Sequence, residues 1–331
     1  MESTGHTIPV AGVAAPVVVY IAGSGRSGST LFERLLGQQP GCVNIGELIE
    51  LFRKVSISGE RCGCGELFEQ CPFWRHVGQR GFGGWGVETM QQVAALQRQV
   101  GRQRHFPELV APRRSRATSV RLAALGDRYA RLYRAVAEVS GASVVVDASK
   151  WPAHGLALVR SGAVDLRVIH LVRDVRGVAY SWAKSGVARP HAHDAGGTAA
   201  MATHKVRRTV ARWSAFQLEC EALVRVARQS TRVRYEDLVG DARRTLVRAF
   251  DEVGLPEQAA AVHGIEGRHV NLAASHGLAG NPSRFVHGEI ELRLDEAWRA
   301  GMPARDRRAV TALASPLLLG YGYLGTRAGG T

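Results

Sequence analysis

The first turn of the chain concentrates glycine, hydroxyl and basic residues in a pattern that can bind a phosphate. Residues 17–21 form an apolar, β-branched run, which predicts a buried parallel strand, and the letters GSGRSGST begin at Gly23. The segment after this turn has apolar residues on one helical face. A strand, a glycine-rich turn and a helix aim backbone N–H groups and a helix N-terminus at an anion. The predicted anion-binding residues are Gly25, Arg26, Ser27, Gly28, Ser29 and Thr30.

This loop differs in its charge from the P-loop of nucleoside triphosphatases. That loop reads G-x-x-x-x-G-K-[ST], and its lysine reaches the terminal phosphates. Gly23 and Gly28 have the same spacing, but Ser29 stands at the lysine position and the cation is Arg26, inside the loop. The loop can therefore bind an anion but lacks the charge that holds a γ-phosphate. A P-loop kinase or nucleoside triphosphatase remains an alternative, because the apolar run that ends at Asp147 is typical of a strand whose aspartate holds magnesium.

Further apolar runs predict the strands that would position this loop. The predicted strands are 17–21, 43–45, 143–146, 166–172 and 232–235. They alternate with helical patterns, among them 48–58, a helix that Asp174 is expected to cap, and 236–253, and a loop is expected over 186–197. The sequence therefore predicts an α/β, P-loop-type three-layer fold with a doubly wound, mainly parallel sheet. Ligands bind at the carboxyl ends of the strands in such sheets. The residues expected there, besides the loop, are Glu47, the run from Asp147 to Lys150, Arg173 and Tyr235.

Two motifs together resemble the sulfotransferases that use 3′-phosphoadenosine 5′-phosphosulfate (PAPS). The loop matches the pattern [KR]-S-G-[ST]-T, which is similar to their 5′-phosphosulfate-binding loop. The segment RVIHLVRDVRGVAYS resembles their 3′-phosphate motif, in which an arginine ends a strand and a serine follows eight positions later. Arg173 and Ser181 stand at these two positions. An arginine fork and a serine hydroxyl are suitable donors to a phosphate.

Three weaker matches extend the resemblance along the chain. VRYEDLV is similar to a sulfotransferase block whose tyrosine lies near the adenine, which points to Tyr235. VVVDASK resembles the strand whose lysine approaches the bridging oxygen in tyrosyl-protein and carbohydrate sulfotransferases, which points to Lys150. GNPSRF resembles a late loop of bacterial members and makes Arg284 another 3′-phosphate candidate. Arg26, where cytosolic small-molecule enzymes usually have lysine, is closer to the bacterial and Golgi carbohydrate-type branch.

The resemblance implies transfer of a sulfuryl group from PAPS to a hydroxyl or amine of a carbohydrate, lipid or small molecule. Arg26 and Lys150 would neutralise the charge that develops during an in-line displacement, so no metal is required. Glu47 is the expected general base, with Glu50 and His154 as alternatives. The catalytic histidine of the cytosolic enzymes has no counterpart among the 12 histidines of this chain.

A cysteine-rich segment, RCGCGELFEQCPFW, could do separate chemistry. Cys62, Cys64, Cys71 and the following His76 are residue types that bind zinc. However, C-x-C with a distant third cysteine is not a standard finger spacing. The sequence therefore favours a disulfide or buried thiols over a metal.

The charge of the chain indicates an anionic partner. Its 331 residues include 43 Lys and Arg against 29 Asp and Glu, which gives a net charge of +14 and a pI near 10.3. A basic nucleic-acid-binding protein is a remote alternative. Aromatic residues make up only 7% of the chain, and no helix-turn-helix, RNA-recognition or zinc-finger pattern is present. We therefore expect a small-molecule, glycan or lipid acceptor and no nucleic acid.

The ends of the chain predict its domain organisation and location. The N-terminus lacks the basic start and apolar core of a signal peptide, and no window reaches the roughly 18 apolar residues of a membrane span. We expect a cytoplasmic protein with one domain over 17–322, a disordered segment over 1–16 and a flexible tail over 323–331. Residues 60–130 are expected to form an insertion or lid, irregular over 78–117 and helical over 119–139.

Overall fold

Strands and helices alternate through most of the chain. The computed structural model describes residues 15–55, 59–183, 188–190, 198–200 and 206–325. The strands are β1 (Val17–Ala22), β2 (Cys42–Asn44), β3 (Val144–Lys150), β4 (Asp165–Val172), β5 (Ala188–Pro190), β6 (Thr198–Ala200), β7 (Ser230–Arg234), β8 (Ile265–Glu266), β9 (His269–Leu272) and β10 (Gly288–Glu291). The α-helices are α1 (Ser29–Gly37), α2 (Pro72–Phe82), α3 (Val87–Val100), α4 (Phe106–Val110), α5 (Arg116–Ser140), α6 (Pro152–Ser161), α7 (Val175–Ala183), α8 (Val206–Val226), α9 (Tyr235–Gly240), α10 (Ala242–Glu252), α11 (Pro256–Ala260), α12 (Trp298–Gly301), α13 (Ala304–Leu313) and α14 (Ser315–Gly320).

β1 lies at the centre of the main sheet, whose strand order is β2-β3-β1-β4-β7. Every neighbouring pair in this sheet is parallel, and the register places Val18 between Val145 and Leu166. The β1 side chains from Val18 onward are fully buried. A strand that is buried on both faces reads as a continuous apolar run, which is why the sequence predicted it. The predicted α/β fold with a doubly wound, mainly parallel sheet is confirmed.

Side chains of β1 point alternately into two separate cores. Val18 and Tyr20 belong to a core that includes residues of α2, α3, α5 and α6. Val19 and Ile21 belong to the opposite core, formed with α1, α9 and α10. Period-two alternation places neighbouring strand residues on opposite faces, so helices cover both sides of the sheet. A third apolar cluster packs the C-terminal helices against α7 and α8.

The segment 60–130 is more regular than the sequence predicted. It contains α2, α3, α4 and the start of α5, and the expectation of an irregular stretch over 78–117 was wrong. The buried residues of α3, among them Met90, Val93 and Val100, recur at helical spacing. The glycines and prolines that obscured this period lie mostly at the helix boundaries. Trp74 and Val93 share a core with Tyr20, so the segment is packed into the main body of the protein.

Several predicted boundaries also change. The helix expected to run from 236 to 253 is two helices, because Asp241 interrupts it and accepts a hydrogen bond from the Arg244 N–H at 3.0 Å. The helix expected over 48–58 is a 3-10 turn, Leu48–Glu50, followed by a π-helical turn, Leu51–Val55. Asp174 caps α7 as predicted, since its carboxylate accepts the Arg176 N–H at 2.8 Å.

The expectations for residues 1–14, for most of the loop over 186–197 and for the tail after Gly325 lie outside the described residues. The first residues of the expected tail are packed: the Tyr323 hydroxyl donates to Glu236 Oε2 at 2.6 Å, and Leu324 contacts the third apolar cluster. Among the described residues, none of the helices combines the length and the apolar character that crossing a membrane would require.

Candidate active site

A cleft of about 530 Å³ lies at the carboxyl ends of the central strands. All five strands of the main sheet contribute to it, as the topology of a parallel sheet requires. The lining residues at these strand ends are Arg26 after β1, Glu47 after β2, Lys150 at the end of β3, Arg173 after β4 and Tyr235 after β7. The sequence predicted each of these five positions, and the structure places them together.

The glycine-rich loop is closely packed against its surroundings. Gly28 precedes α1 with a φ of 86°, and a Cβ atom there would lie 2.8 Å from Cε2 of Tyr235. A Cβ atom on Gly23 would overlap the carbonyl oxygen of Leu171. Only glycine fits at these two positions. Ser29 and Thr30 begin α1, so the positive end of the helix dipole faces the cleft.

Backbone strain in the described residues is concentrated at this cleft. Three non-glycine residues there have a positive φ: Arg26 at 69°, Lys150 at 68° and Ala279 at 56°. All three line the cleft. Positive φ costs free energy for a residue with a Cβ atom, and such residues cluster at ligand sites that the surrounding structure holds in place.

Two arginine side chains of the cleft, Arg26 and Arg173, lie beside the glycine-rich loop. Arg173 donates from Nη1 to the carbonyl oxygen of Arg26 at 3.0 Å, and its guanidinium lies 4.5 Å from the ring centre of Tyr235. The Arg26 guanidinium lies 5.2 Å from the ring centre of Trp182. Burial and, secondarily, the charge of Arg173 lower the pKa of Arg26. Two cations that line one cleft favour binding of an anion there.

A carboxylate occupies part of this cationic site. Arg173 Nη2 donates to Asp295 Oδ2 at 2.9 Å and to the Asp295 carbonyl oxygen at 3.1 Å. The Asp295 side chain is 44% exposed, and the residue lines the cleft. Ser181, on α7, also lines the cleft. The sequence did not single out Asp295, because it lies 122 positions from its arginine partner.

Glu47 and Lys150 form an ion pair in the cleft, and both side chains are largely buried. Glu50 also lines the cleft and pairs with Arg53 at 3.0 Å. A third carboxyl, Glu33 on α1, is fully buried, and burial raises its pKa well above the usual range. The charge of Lys150 partly opposes that rise. Besides the buried Glu33, the cleft therefore presents three carboxylates to a bound molecule: Glu47 is paired with a lysine, and Glu50 and Asp295 are each paired with an arginine.

Three sequence-predicted residues do not line the cleft. His154 is fully buried beside Tyr20 and Tyr129, and burial lowers its pKa to about 3, so it is removed as a candidate base. Arg284 is turned inward, where it forms a buried ion pair with Glu60 at 2.6 Å. Ser27 is buried with its hydroxyl donating to the Ser24 carbonyl oxygen at 2.7 Å. Ser27 thus stabilises the conformation of the loop. Arg284 stabilises the segment around Asn281 and Ser283, which lines the cleft.

The aspartate that favoured a kinase is also outside the cleft. Asp147 is fully buried, and its Oδ2 accepts the Tyr133 hydroxyl at 2.6 Å. Its Oδ1 accepts the Ser149 N–H at 2.8 Å. A carboxylate with both oxygens engaged inside the protein is not placed to hold a magnesium ion on a bound nucleotide. The main sequence feature that supported the kinase alternative therefore has a structural role.

The sequence did not identify another side of the cleft, which is mainly aromatic. It consists of Trp151, Trp182 and Phe216, with Arg212 beside them. The rings of Trp151 and Phe216 meet edge to face at 5.8 Å, and Arg212 is exposed one helical turn from Phe216 on α8. A smaller cavity of about 80 Å³ adjoins this side between α7 and α8. Nothing in the local sequence distinguishes these residues from other aromatic and basic residues on helices.

An α/β fold with a glycine-rich loop and cations at the strand ends is typical of proteins that bind anionic ligands. Residues 16–259 match the sulfotransferase family, and the chain belongs to that family. Among solved structures, the sulfotransferase domain from the Synechococcus PCC 7002 olefin synthase is similar at 17% sequence identity and a TM-score of 0.46. That similarity covers 91% of this chain and 94% of the other. A search of curated proteins gave no match.

Proposed function

We propose that this sulfotransferase uses PAPS and transfers its sulfuryl group to a hydroxyl or amine of a carbohydrate, lipid or small molecule. The observation that carries the proposal is the meeting of two motifs in one cleft. The loop around Arg26 and the pair Arg173 and Ser181 come from different parts of the sequence and line the same cavity. Their separation along the chain makes an accidental match of both motifs improbable.

The residues of the cleft fit a nucleotide with two anionic ends. The 5′-phosphosulfate would lie on the N-terminus of α1 and the loop from Gly25 to Thr30, where only glycine fits at Gly28. The 3′-phosphate would be bound by Arg173 and Ser181. The Tyr235 ring lies near Gly28 and the Arg173 guanidinium, and we propose that it contacts the adenine, as the resemblance implies. Arg284 is no longer proposed as a phosphate ligand, because it pairs with Glu60.

In the proposed reaction, Glu47 removes the proton from the acceptor hydroxyl. The acceptor oxygen forms a bond to sulfur, the bond between sulfur and the bridging phosphate oxygen breaks, and adenosine 3′,5′-bisphosphate leaves. PAPS supplies the activated sulfuryl group. Arg26 and Lys150 stabilise the negative charge that develops on the leaving oxygen and the sulfuryl oxygens. Lys150 also orients the Glu47 carboxylate through their ion pair. We propose that these cations serve in place of a metal ion.

The aromatic side of the cleft supports a coarse proposal for the acceptor. Trp151, Trp182 and Phe216 offer apolar ring surface, and Arg212 adds a positive charge beside them. Aromatic faces pack well against sugar rings and other flat apolar groups. An acceptor with such a group, and with a polar or anionic substituent near Arg212, suits this side.

The first experiment is calorimetric titration with adenosine 3′,5′-bisphosphate, in parallel with ATP plus magnesium. We expect the bisphosphate to bind without metal. The Arg173→Ala variant should bind it about 10- to 100-fold more weakly, because a charge-assisted contact to phosphate is lost. Arg293→Ala is the matched control, since Arg293 is an exposed arginine close in sequence to Asp295.

Each outcome of this titration decides between functions. Metal-independent binding that Arg173→Ala weakens and Arg293→Ala leaves unchanged supports the proposed donor and justifies a screen of acceptors with labelled PAPS. Binding of ATP with magnesium alone would overturn the donor assignment. Binding of neither nucleotide would also overturn it and would return nucleic acid to consideration as the anionic partner.

A further inference from the structure

Outside the cleft, four side chains of metal-binding types converge next to the loop that carries Ala279. Cys62, Cys64 and Cys71 come from the cysteine-rich segment, and the fourth residue is His276, about 200 positions later. One ligand atom from each residue lies within 4.8 Å of the other three. Cys62 and Cys71 are buried, and the other two are half-buried. Neither the cleft nor the proposed reaction uses any of these residues.

The distances in the cluster fit a tetrahedral metal ion. The Cys62 and Cys71 sulfurs each lie 3.5 Å from His276 Nδ1, and the Cys64 and Cys71 sulfurs lie 3.7 Å apart. Around a tetrahedral zinc ion, usual bond lengths place two sulfurs about 3.8 Å apart and a sulfur and a nitrogen about 3.6 Å apart. A disulfide would need about 2.0 Å between the sulfurs. All three cysteines are free thiols, so of the two alternatives that the sequence favoured, the disulfide does not form and the thiols remain.

The surroundings hold the ligands in this arrangement without a metal bond. The Phe73 ring stacks on the His276 imidazole at 4.4 Å with an interplanar angle of 4°. Trp74 Nε1 donates to the His276 carbonyl oxygen at 2.9 Å. Gly63 N–H donates to the Gly277 carbonyl oxygen at 3.0 Å, and a Cβ on Gly63 would lie 2.7 Å from the Ser275 carbonyl oxygen. The two segments therefore approach as closely as a shared metal requires.

We propose that Cys62, Cys64, Cys71 and His276 bind one Zn²⁺ ion as a closed structural site. Four protein ligands leave no position for water or substrate, so the ion would not take part in sulfuryl transfer. His276 replaces the histidine that the sequence suggested, since His76 is exposed on α2 and outside the cluster. The unusual C-x-C spacing is accommodated because the fourth ligand comes from a distant segment.

The ion would hold one wall of the cleft in place. Leu278, two residues after His276, donates to the Ile45 carbonyl oxygen at 3.0 Å and accepts the Glu47 N–H at 2.8 Å. Ala279 and Gly280 then line the cleft, close to Thr30. A zinc bond at His276 thus fixes the strand-like pairing that positions the backbone of Glu47. This role concerns the shape of the protein and does not depend on the donor or the acceptor.

The test is metal analysis of the purified, reduced protein, followed by cobalt substitution. We expect about one zinc ion per chain and, with Co²⁺, the visible spectrum of a tetrahedral site with thiolate-to-cobalt charge transfer. His276→Ala and Cys71→Ser should lose stoichiometric metal. His76→Ala and Cys42→Ser are the matched controls and should keep it, because neither residue belongs to the cluster.

His276→Cys is the control for loss of metal that is caused by misfolding of a variant. It restores four ligands, so it should retain zinc and give a cobalt spectrum with stronger thiolate charge transfer. Metal-free wild type should also unfold at a lower temperature, and added zinc should raise the midpoint again. Purified protein without metal, whose thiols titrate as free and which does not take up Zn²⁺ or Co²⁺, would overturn the proposal. Zinc retained by His276→Ala but lost from His76→Ala would overturn the assignment of the fourth ligand.

Discussion

The ion pair between Glu47 and Lys150 joins two charges that the proposed reaction uses separately. Glu47 must accept a proton, and Lys150 must stabilise negative charge on the leaving oxygen. We expect Glu47→Gln to lower kcat by at least about 100-fold, because the amide cannot act as a base. Binding of adenosine 3′,5′-bisphosphate, measured by calorimetry, should be unchanged.

Glu50→Gln is the control for this substitution. Glu50 lines the same cleft but pairs with Arg53, so its loss should leave most of the activity. If Glu50→Gln abolishes turnover and Glu47→Gln does not, Glu50 is the base and Glu47 is not. Full activity in both variants would exclude both glutamates of the cleft as the base.

Asp295 is in a position to compete with a bound phosphate. Its carboxylate accepts from Arg173, which the proposal assigns to the 3′-phosphate. Binding of the bisphosphate would have to displace this contact. We expect Asp295→Asn to raise the affinity about two- to fivefold, since a partly exposed ion pair is worth up to about 1 kcal/mol. Calorimetric titration with the bisphosphate measures this change.

The chain offers a closely matched control for Asp295. Asp165 is equally exposed and pairs with Arg167 at 3.2 Å, but it does not line the cleft. Asp165→Asn should therefore leave the affinity unchanged. A lower affinity in Asp295→Asn would contradict the competition and would show that Asp295 instead orients Arg173 for binding.

At the scale of elements, the turn between β1 and α1 depends on glycine for two separate reasons. Gly28 has a positive φ, and its α-carbon faces the ring of Tyr235. Gly28→Ala would incur both the backbone strain and the overlap. We expect it to destabilise the protein more than strain alone does and to weaken bisphosphate binding at least tenfold, because the loop or Tyr235 must move.

Gly83→Ala separates these two effects. Gly83 ends α2 with a φ of 72°, and a Cβ atom there would meet nothing within 4 Å. Gly83→Ala should lower the free energy of unfolding by only about 1–2 kcal/mol, because of the positive φ, and should leave the affinity for the bisphosphate unchanged. Urea unfolding and calorimetry measure the two quantities. Equal losses of stability with unchanged affinity in both variants would contradict a role for the contact between Gly28 and Tyr235.

Elements whose signal is local could be predicted from the sequence. The loop after β1 and the pair Arg173 and Ser181 each lie within one short segment, and their residue types reflect their chemistry directly. The parallel strands were found because burial on both faces leaves a continuous apolar run. α3 was missed because glycines at both of its ends hid a helical period in its middle.

The parts that could not be predicted depend on contacts between distant segments. His276 meets Cys62 over 214 positions, and Arg284 turns toward Glu60 over 224 positions. A local pattern gives the type of a side chain but not the direction in which the folded chain points it. The same reason hid Arg212, which is one exposed arginine among many until α8 brings it beside the cleft.

At the scale of the whole molecule, the stability of the protein depends on pH through two buried titratable groups, Asp147 and His154. Folding disfavours the charged form of each. Burial raises the pKa of Asp147 to about 6, and burial lowers the pKa of His154 to about 3. The two groups act on stability in opposite directions. Asp147 stabilises the folded state fully below pH about 3.8 and loses this effect as the pH rises through about 6. His154 stabilises the folded state fully above pH about 6.5 and loses this effect as the pH falls toward 3.

The acid sensitivity of His154 can be isolated by comparing wild type with His154→Leu. The imidazole is fully buried, and neither ring nitrogen has a hydrogen-bond partner in the described part of the chain. The unfolded chain binds a proton at this residue below pH about 6.5, whereas the folded protein does not. Relative to His154→Leu, wild type should therefore lose about 2 kcal/mol of unfolding free energy between pH 7.5 and pH 5.

Urea unfolding of both proteins at the two pH values measures this loss. The opposite effect of Asp147 is present in both proteins, so it cancels from the comparison even though it flattens the pH profile of either one alone. A difference between the two proteins that does not change with pH would mean that the folded protein protonates His154 as readily as the unfolded chain does. The imidazole would then have to reach water, and the packing of His154 against Tyr20 and Tyr129 would have to open in solution.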